Sequence, residues 1–233
     1  MSFIISGYGR FDMKTFTYGS IIVDCYVMGP IENNTYLIHE KDCKEAILVD
    51  PAANSEELAE DIKELNIEKL TIFITHGHSD HIAGLEYFRK QFPFAKVAVS
   101  HEDSAMLTDS RLNLSDYMGE SFVCREAEII AKQGDTFKIG SHTAVAAHIP
   151  GHTPGGMVLI FDEFVISGDS LFHECVGRSD LPGGDGAALV KNIKSKLMIL
   201  SDRPVFPGHG HETTIEHEKK CNPFLSDDAF FGY

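Results

Sequence analysis

Residues 75–81 read THGHSDH and set three histidines and one aspartate within six positions, directly behind the apolar run LTIFI at 70–74. Imidazole nitrogens and carboxylate oxygens are the ligands that divalent transition metals take where no thiolate is offered. His76 and His78 are two apart and cannot share a helix face, but a turn leaving a strand end can aim both rings at one point. The same local form, an apolar run, a glycine and then a ligand-type residue, recurs in HIPGHTPGG with His152, FVISGDSLF with Asp169 and PVFPGHG with His209. Glycine lets the backbone turn sharply at a strand end and leaves room for a side chain to face inward.

With Asp80 and His81 these stretches supply five histidines and two aspartates. A catalytic zinc uses about three protein ligands and a water, so this set is too large for one ion and suits two that share a carboxylate. The expected cofactor is therefore a pair of divalent cations, zinc first, with iron or manganese as alternatives. Two cations holding one water bring its pKa toward about 7 and provide a hydroxide nucleophile at neutral pH. Asp80 is expected to take part in catalysis as a ligand that orients this water. The scattered His39, His101, His142, His148 and His217 read as ordinary core or surface residues, and His211 as a surface or helix-start residue. His173 and Cys175 follow Asp169 closely enough to line the same pocket, although a small buried hydrophobe is the commoner use of cysteine.

The elements that must position these groups are short. Apolar runs at 20–28, 35–39, 46–50, 70–75 and 96–100 predict strands in the first part, with helices alternating among the later ones. Asn54 and Glu57 have the form of a capping box opening the helix SEELAEDIKEL, and IAGLEYFRKQF predicts a helix that begins near Asp80 and His81. The stretch from Asp109 to Glu120 reads as a loop or short helices. TFKIG, TAVAAHI, MVLIF, FVISG and PVF predict strands in the second part, with a helix near 186–200. This order predicts two α/β layers joined face to face. Residues 1–19 read as an N-terminal extension or first strand, and 20–233 as one domain; PFLSDDAFFGY at the end is expected to pack on an apolar surface.

Composition bounds the partners. A formal charge of −15 leaves little attraction for nucleic acid or an anionic membrane surface, and no apolar run approaches the roughly 20 residues of a membrane span. The cysteines Cys25, Cys43, Cys124, Cys175 and Cys221 are odd in number and form no CxxC pair, which fits a reducing compartment. The N-terminus lacks the pattern of a signal peptide, so a cytoplasmic location is expected. The partner expected is a small molecule; oligomeric state is not legible.

THGHSDH, PGHTPG, SGDSLF and PGHG in this order resemble a metallo-β-lactamase-fold hydrolase, and the likeness runs from Ile21 to Leu225. The resemblance implies an α/β fold in a four-layer αββα sandwich with the metals at one edge of the sheets. It also implies His76, His78 and His152 on one metal, Asp80, His81 and His209 on the other, and Asp169 bridging. NNTYLI, VGRSDLPGGD and PGHGHETTIEHEKKCNPFL carry a closer likeness to short glyoxalase II-like hydrolases, with DPAAN at 50–54 departing from the DPG of many relatives. The expected activity is hydrolysis of a small thioester or ester. Arg178 keeps a basic position that contacts glutathione in glyoxalase II, while Asp180 stands where a tyrosine would be, so Arg178 is the candidate substrate-binding residue and only a weak preference for glutathione conjugates is expected. A mononuclear iron persulfide dioxygenase and a non-catalytic metal-binding protein are the competing readings; a zinc-dependent nuclease is disfavoured by the acidic balance.

Overall fold

The structure, a computed structural model, describes residues 13–226. One sheet carries, in spatial order, β1 (Met13–Tyr18), β2 (Ile21–Met28), β3 (Asn33–Glu40), β4 (Glu45–Val49), β5 (Lys69–Phe73), β6 (Lys96–Ser100) and β7 (Ile129–Ala131). The second is built from β8 (Thr136–Ile139), β9 (His142–His148), β10 (Met157–Ile160) and β11 (Val165–Gly168). A separate hairpin of β12 (Leu171–Phe172) and β13 (Cys175–Val176) follows, and β14 (Pro204–Pro207) and β15 (Thr213–Thr214) complete the second sheet beside β11. The helices are α1 (Glu56–Glu64), α2 (Ser79–Ile82), α3 (Leu85–Gln91), α4 (Ser115–Met118), α5 (Gly186–Lys196) and α6 (Ile215–Cys221).

Strands β1 to β4 pair antiparallel, whereas β4 to β7 run parallel, which requires crossovers: α1 between β4 and β5, α2 and α3 between β5 and β6, and residues 101–128 with α4 between β6 and β7. Between the sheets lies a core of Tyr36, Ile38, Val49 and Phe73 from one side and Leu159, Phe164, Ile166 and Phe206 from the other. The Phe206 ring sits 5.7 Å from that of Tyr36 and 5.6 Å from that of Phe164, so one side chain of β14 ties both sheets together. Leu48, Leu70 and Ile72 turn the other way and pack on Leu58, Ile62, Leu85 and Phe88 of α1 and α3. Val158, Val165 and Val205 likewise pack on Leu189 and Ile193 of α5 and Ile215 of α6. The layers therefore run α, β, β, α. Strands buried on both faces explain why β3 and β4 read as continuous apolar runs rather than alternating ones.

Two local expectations are corrected. Helix α1 is capped by Ser55, not Asn54: the Ser55 hydroxyl accepts the Leu58 N–H at 3.1 Å, and this start turns Leu58, Ala59 and Ile62 onto the sheet. The helix expected after Asp80 is broken in two at Gly84, whose N–H donates to the Pro51 carbonyl at 2.8 Å. A Cβ there would lie 2.3 Å from the Ala53 carbonyl oxygen, so only glycine lets α2 and α3 pack this closely on the loop after β4. Leu225 is buried against α5 and α6, whereas the rest of the C-terminal aromatic stretch, from residue 227, lies outside the described residues. Among the described residues no helix is long and apolar enough to cross a membrane.

Candidate metal centre

His76 and His78 leave the end of β5, Asp80 and His81 open α2, and His152, Asp169 and His209 follow β9, β11 and β14. All seven meet at one edge of the two sheets. His76, His78 and His152 form one group and Asp80, His81 and His209 another, each offering ligand atoms that lie within 4.8 Å of one another. Asp169 faces both: its Oδ1 is 3.4 Å from His81 Nε2, and its Oδ2 is 3.5 Å from His152 Nε2 and 3.7 Å from His209 Nε2.

The hydrogen bonds of the outer ring nitrogens assign the tautomers. His152 Nδ1–H donates to the Arg178 carbonyl at 2.7 Å, His81 Nδ1–H to Asp50 Oδ2 at 2.9 Å, and His209 Nδ1–H to the Ile31 carbonyl at 3.2 Å. The Thr75 hydroxyl gives its proton to Asp50 Oδ2 at 2.5 Å, so its oxygen accepts from His76 Nδ1–H at 3.2 Å. Four imidazoles thereby turn their Nε2 atoms inward, and His78 turns its Nδ1 to within 3.0 Å of His152 Nε2. His76 Nε2 and His152 Nε2 are 3.2 Å apart, a contact between two lone pairs that is repulsive without a cation. His81 Nε2 and Asp169 Oδ1 are buried with no hydrogen-bond partner. Converging lone pairs, unpaired buried ligand atoms and second atoms already tied to carbonyls or a carboxylate fit divalent cations bound through nitrogen and oxygen.

The electrostatics agree. Burial and the neighbouring imidazoles hold His76 well below its ordinary value, and burial with His152 pushes His78 down to about 3, so both lone pairs stay free at neutral pH. Burial also disfavours charge on His81, but Asp169, Asp80 and Asp50 outweigh it and raise this group well above the ordinary histidine range. Burial pushes the Asp80 carboxyl up, and His81 and His209 more than reverse that. Positive charge is thus favoured beside Asp80 and Asp169.

Sequence reasoning missed two carboxylates. Asp50, 1% exposed and at the end of β4, accepts the Thr75 N–H at 2.7 Å as well as the Thr75 hydroxyl and His81, so it orients the rings behind both groups. Asp103, fully buried, accepts from Gly77 N–H, the Thr153 hydroxyl and Gly155 N–H, and staples the THGH turn to the HTPG loop. Asp50 could have been found as an acid closing a strand whose parallel neighbour carries the histidines; Asp103 has no local signal. The NNTYLI stretch gains a role: Asn34 donates to the carbonyls of Pro207 and Gly210 and fixes the His209 loop.

The groups open onto a cleft of about 730 Å³ lined by His78, Asp80, His152, Asp169 and His209 at its floor and by Arg178 near its mouth. The Arg178 guanidinium holds Asp180 by two bonds of 2.8 Å. Phe172 lines the cleft, while His173 and Cys175 are exposed on the β12–β13 turn, and His173 stacks on His217 beside Glu174 in a separate group. His211 is exposed.

Fold and site together define a class. Residues 28–209 match the family profile of the Metallo-beta-lactamase superfamily, and the chain belongs to that superfamily, by class a metal-dependent hydrolase. It is 33% identical over 210 residues to the hydroxyacylglutathione hydrolase GloC of Haemophilus influenzae, covering 85% of this chain and 95% of that protein. The crystal structure of the BLEG-1 B3 metallo-beta-lactamase superposes with a TM-score of 0.81 at 33% identity, covering 88% of this chain and 99% of the other. TTHA1623 in a di-iron-bound form is similar with a TM-score of 0.74 at 29% identity, covering 86% and 99%.

Proposed function

We propose that the protein hydrolyses a small thioester or ester at a site for two divalent cations, one held by His76, His78 and His152, the other by Asp80, His81 and His209, with Asp169 between them. The observation that carries this reading is Asp169, which lies between the two groups, with Oδ1 near His81 and Oδ2 near both His152 and His209. Two cations there would lower the pKa of a shared water toward about 7 and stabilise the oxyanion formed when it adds to a carbonyl. Asp50 locks the His81 ring and, through Thr75, the His76 ring, so both Nε2 atoms point inward before any cation arrives. Asp80 acts as a ligand and orients the attacking water. A thiolate leaves without a dedicated general acid because its conjugate acid has a pKa of about 8.5.

The name of the Haemophilus relative supports a thioester, and that of BLEG-1 a β-lactam. The thioester reading is favoured over glutathione specificity by the Arg178–Asp180 pair, which commits the one basic side chain lining the cleft among the described residues. Arg178 keeps its place at the mouth, where its carbonyl also fixes His152. The complete second group of ligands weighs against the mononuclear dioxygenase. The unpaired thiols of Cys25, Cys43, Cys124, Cys175 and Cys221 support the cytoplasm.

The test is elemental analysis of purified protein for zinc, iron and manganese beside steady-state rates on an acetyl thioester, lactoylglutathione and a cephalosporin. Two metals per chain, thioester turnover and a glutathione preference below about a hundredfold, about 2.7 kcal/mol, are expected. Saturation at one metal overturns the binuclear assignment, and a cephalosporin turned over faster than the thioester overturns the substrate class.

A further inference from the structure

The stretch from Asp109 to Glu120 adds no side chain to the apolar core clusters, yet it is anchored by buried hydrogen bonds. Asn113 and Ser115 are buried at 0% and 1% exposure. The Asn113 carbonyl accepts the Ser79 N–H at 2.8 Å, which ties the stretch directly to the turn carrying His78 and Asp80. Asn113 Nδ2 donates to the Phe122 carbonyl at 3.1 Å, and Asn113 Oδ1 accepts the Ser115 N–H at 2.9 Å. Between these anchors Leu114 is held at a φ of 70°, a left-handed conformation that costs a leucine energy and persists only where its surroundings impose it.

The strain has a directional result. It turns the chain into α4, and Leu114, Tyr117 and Met118 line the same cleft as the ligand groups, together with Ile31, Phe172 and Leu181. Tyr117 is 77%, Met118 58% and Ile31 45% exposed, so large apolar side chains stand in water at the mouth of the site. Apolar surface left open beside reactive groups gains free energy only when something apolar covers it. Since Arg178 is already paired with Asp180, no free guanidinium or ammonium among the described lining residues remains to fix a carboxylate of the substrate.

We infer that the anchored stretch around Leu114, Tyr117 and Met118 is a substrate wall that takes an alkyl or aromatic group, making the natural substrate a neutral, hydrophobic thioester or ester. This rests on the hydrolase reading above and adds the substrate class. The wall is continuous with the floor of ligand groups in one cleft, which favours a group of the substrate over a second protein as its occupant.

The test uses metal-loaded full-length protein and two series of neutral thioesters. One varies the acyl group of N-acetylcysteamine thioesters from acetyl to hexanoyl; the other varies the thiol of acetyl thioesters from methanethiol to hexanethiol. Each methylene that becomes fully buried raises kcat/KM about fourfold. A rise of at least fivefold across one series is expected, and that series tells on which side of the scissile bond the wall acts. Less than fivefold in both overturns the inference. The variant carrying Tyr117→Ser and Met118→Ser changes only exposed side chains; it is expected to cut the rise at least threefold, and a smaller cut takes the role away from this stretch. No turnover of any thioester would instead sink the hydrolase reading. In that case calorimetry of hexanoate against acetate still reads the wall: hexanoate is expected to bind at least fivefold more tightly, and a smaller ratio counts against the inference.

Discussion

Five imidazoles and two carboxylates converge here, and the outer nitrogens of His76, His81, His152 and His209 already have partners, which turns their Nε2 atoms toward the shared site. Replacing Asp169 by Ala is expected to lower hydrolysis more than about a hundredfold and to reduce metal content, whereas exposed His211→Ala should stay within about twofold. Equal effects of the two changes on rate and metal stoichiometry would contradict the ligand assignment. The depressed histidines also set a pH dependence for the metal-free protein. His78, at about 3, and His76 are neutral when folded and take up protons near their ordinary value of 6.5 when unfolded. Between these limits the unfolded chain binds more protons, so stability falls as pH falls, by about 1.4 kcal/mol per pH unit for each fully shifted group. His81 and His209 are raised, so they are charged in both states over that window; their contribution is present below 6.5 and lost as pH rises through their folded values. Thermal melts of metal-free protein from pH 6.5 to 4.5 should show the decline, and His78→Asn should flatten it.

Among the elements, β14 and the loop after it do separate jobs within a few residues. Phe206 closes the core between the sheets, while Gly208 passes so near the site that a Cβ would lie 2.1 Å from Asp169 Oδ1 and 2.8 Å from the His81 ring. Phe206→Ala is expected to cost about 3–5 kcal/mol, read as a lower denaturation midpoint. Gly208→Ala is expected to displace Asp169 and lose metal and activity out of proportion to any fall in stability. Comparable stability losses with retained metal in both would show that loop and strand are not separable in this way.

For the molecule as a whole, the ligand-type residues come from the loops after β5, β9, β11 and β14 and from α2, which meet at one edge of both sheets. Cations bound only by the folded state stabilise it by mass action, about 2.7 kcal/mol for one site at a hundredfold excess over Kd. Chelation should therefore lower the melting temperature, and added metal should restore it in two steps for two sites. An unchanged melting temperature in verified metal-free protein would mean that the edge is rigid without its ions.

The sequence by itself picked out the seven ligand-type residues and most of the longer strands, because strand-end glycines and short apolar runs are local signals; the αββα layering came from the family resemblance, and the order of strands in each sheet only from the structure. It placed the cap of α1 one residue early and ran α2 and α3 together; the break at Gly84 is set by its close approach to the loop after β4 rather than by its own neighbours in the chain. Asp50 and Asp103 were left unread for the same reason: each acts on residues 25 or more positions away. Only the tertiary structure decided that Arg178 is paired with Asp180 and that Leu114, Tyr117 and Met118 face the cleft. A side chain's free valence and the direction of a strained loop are set by what packs around them, and no spacing in the chain encodes that directly.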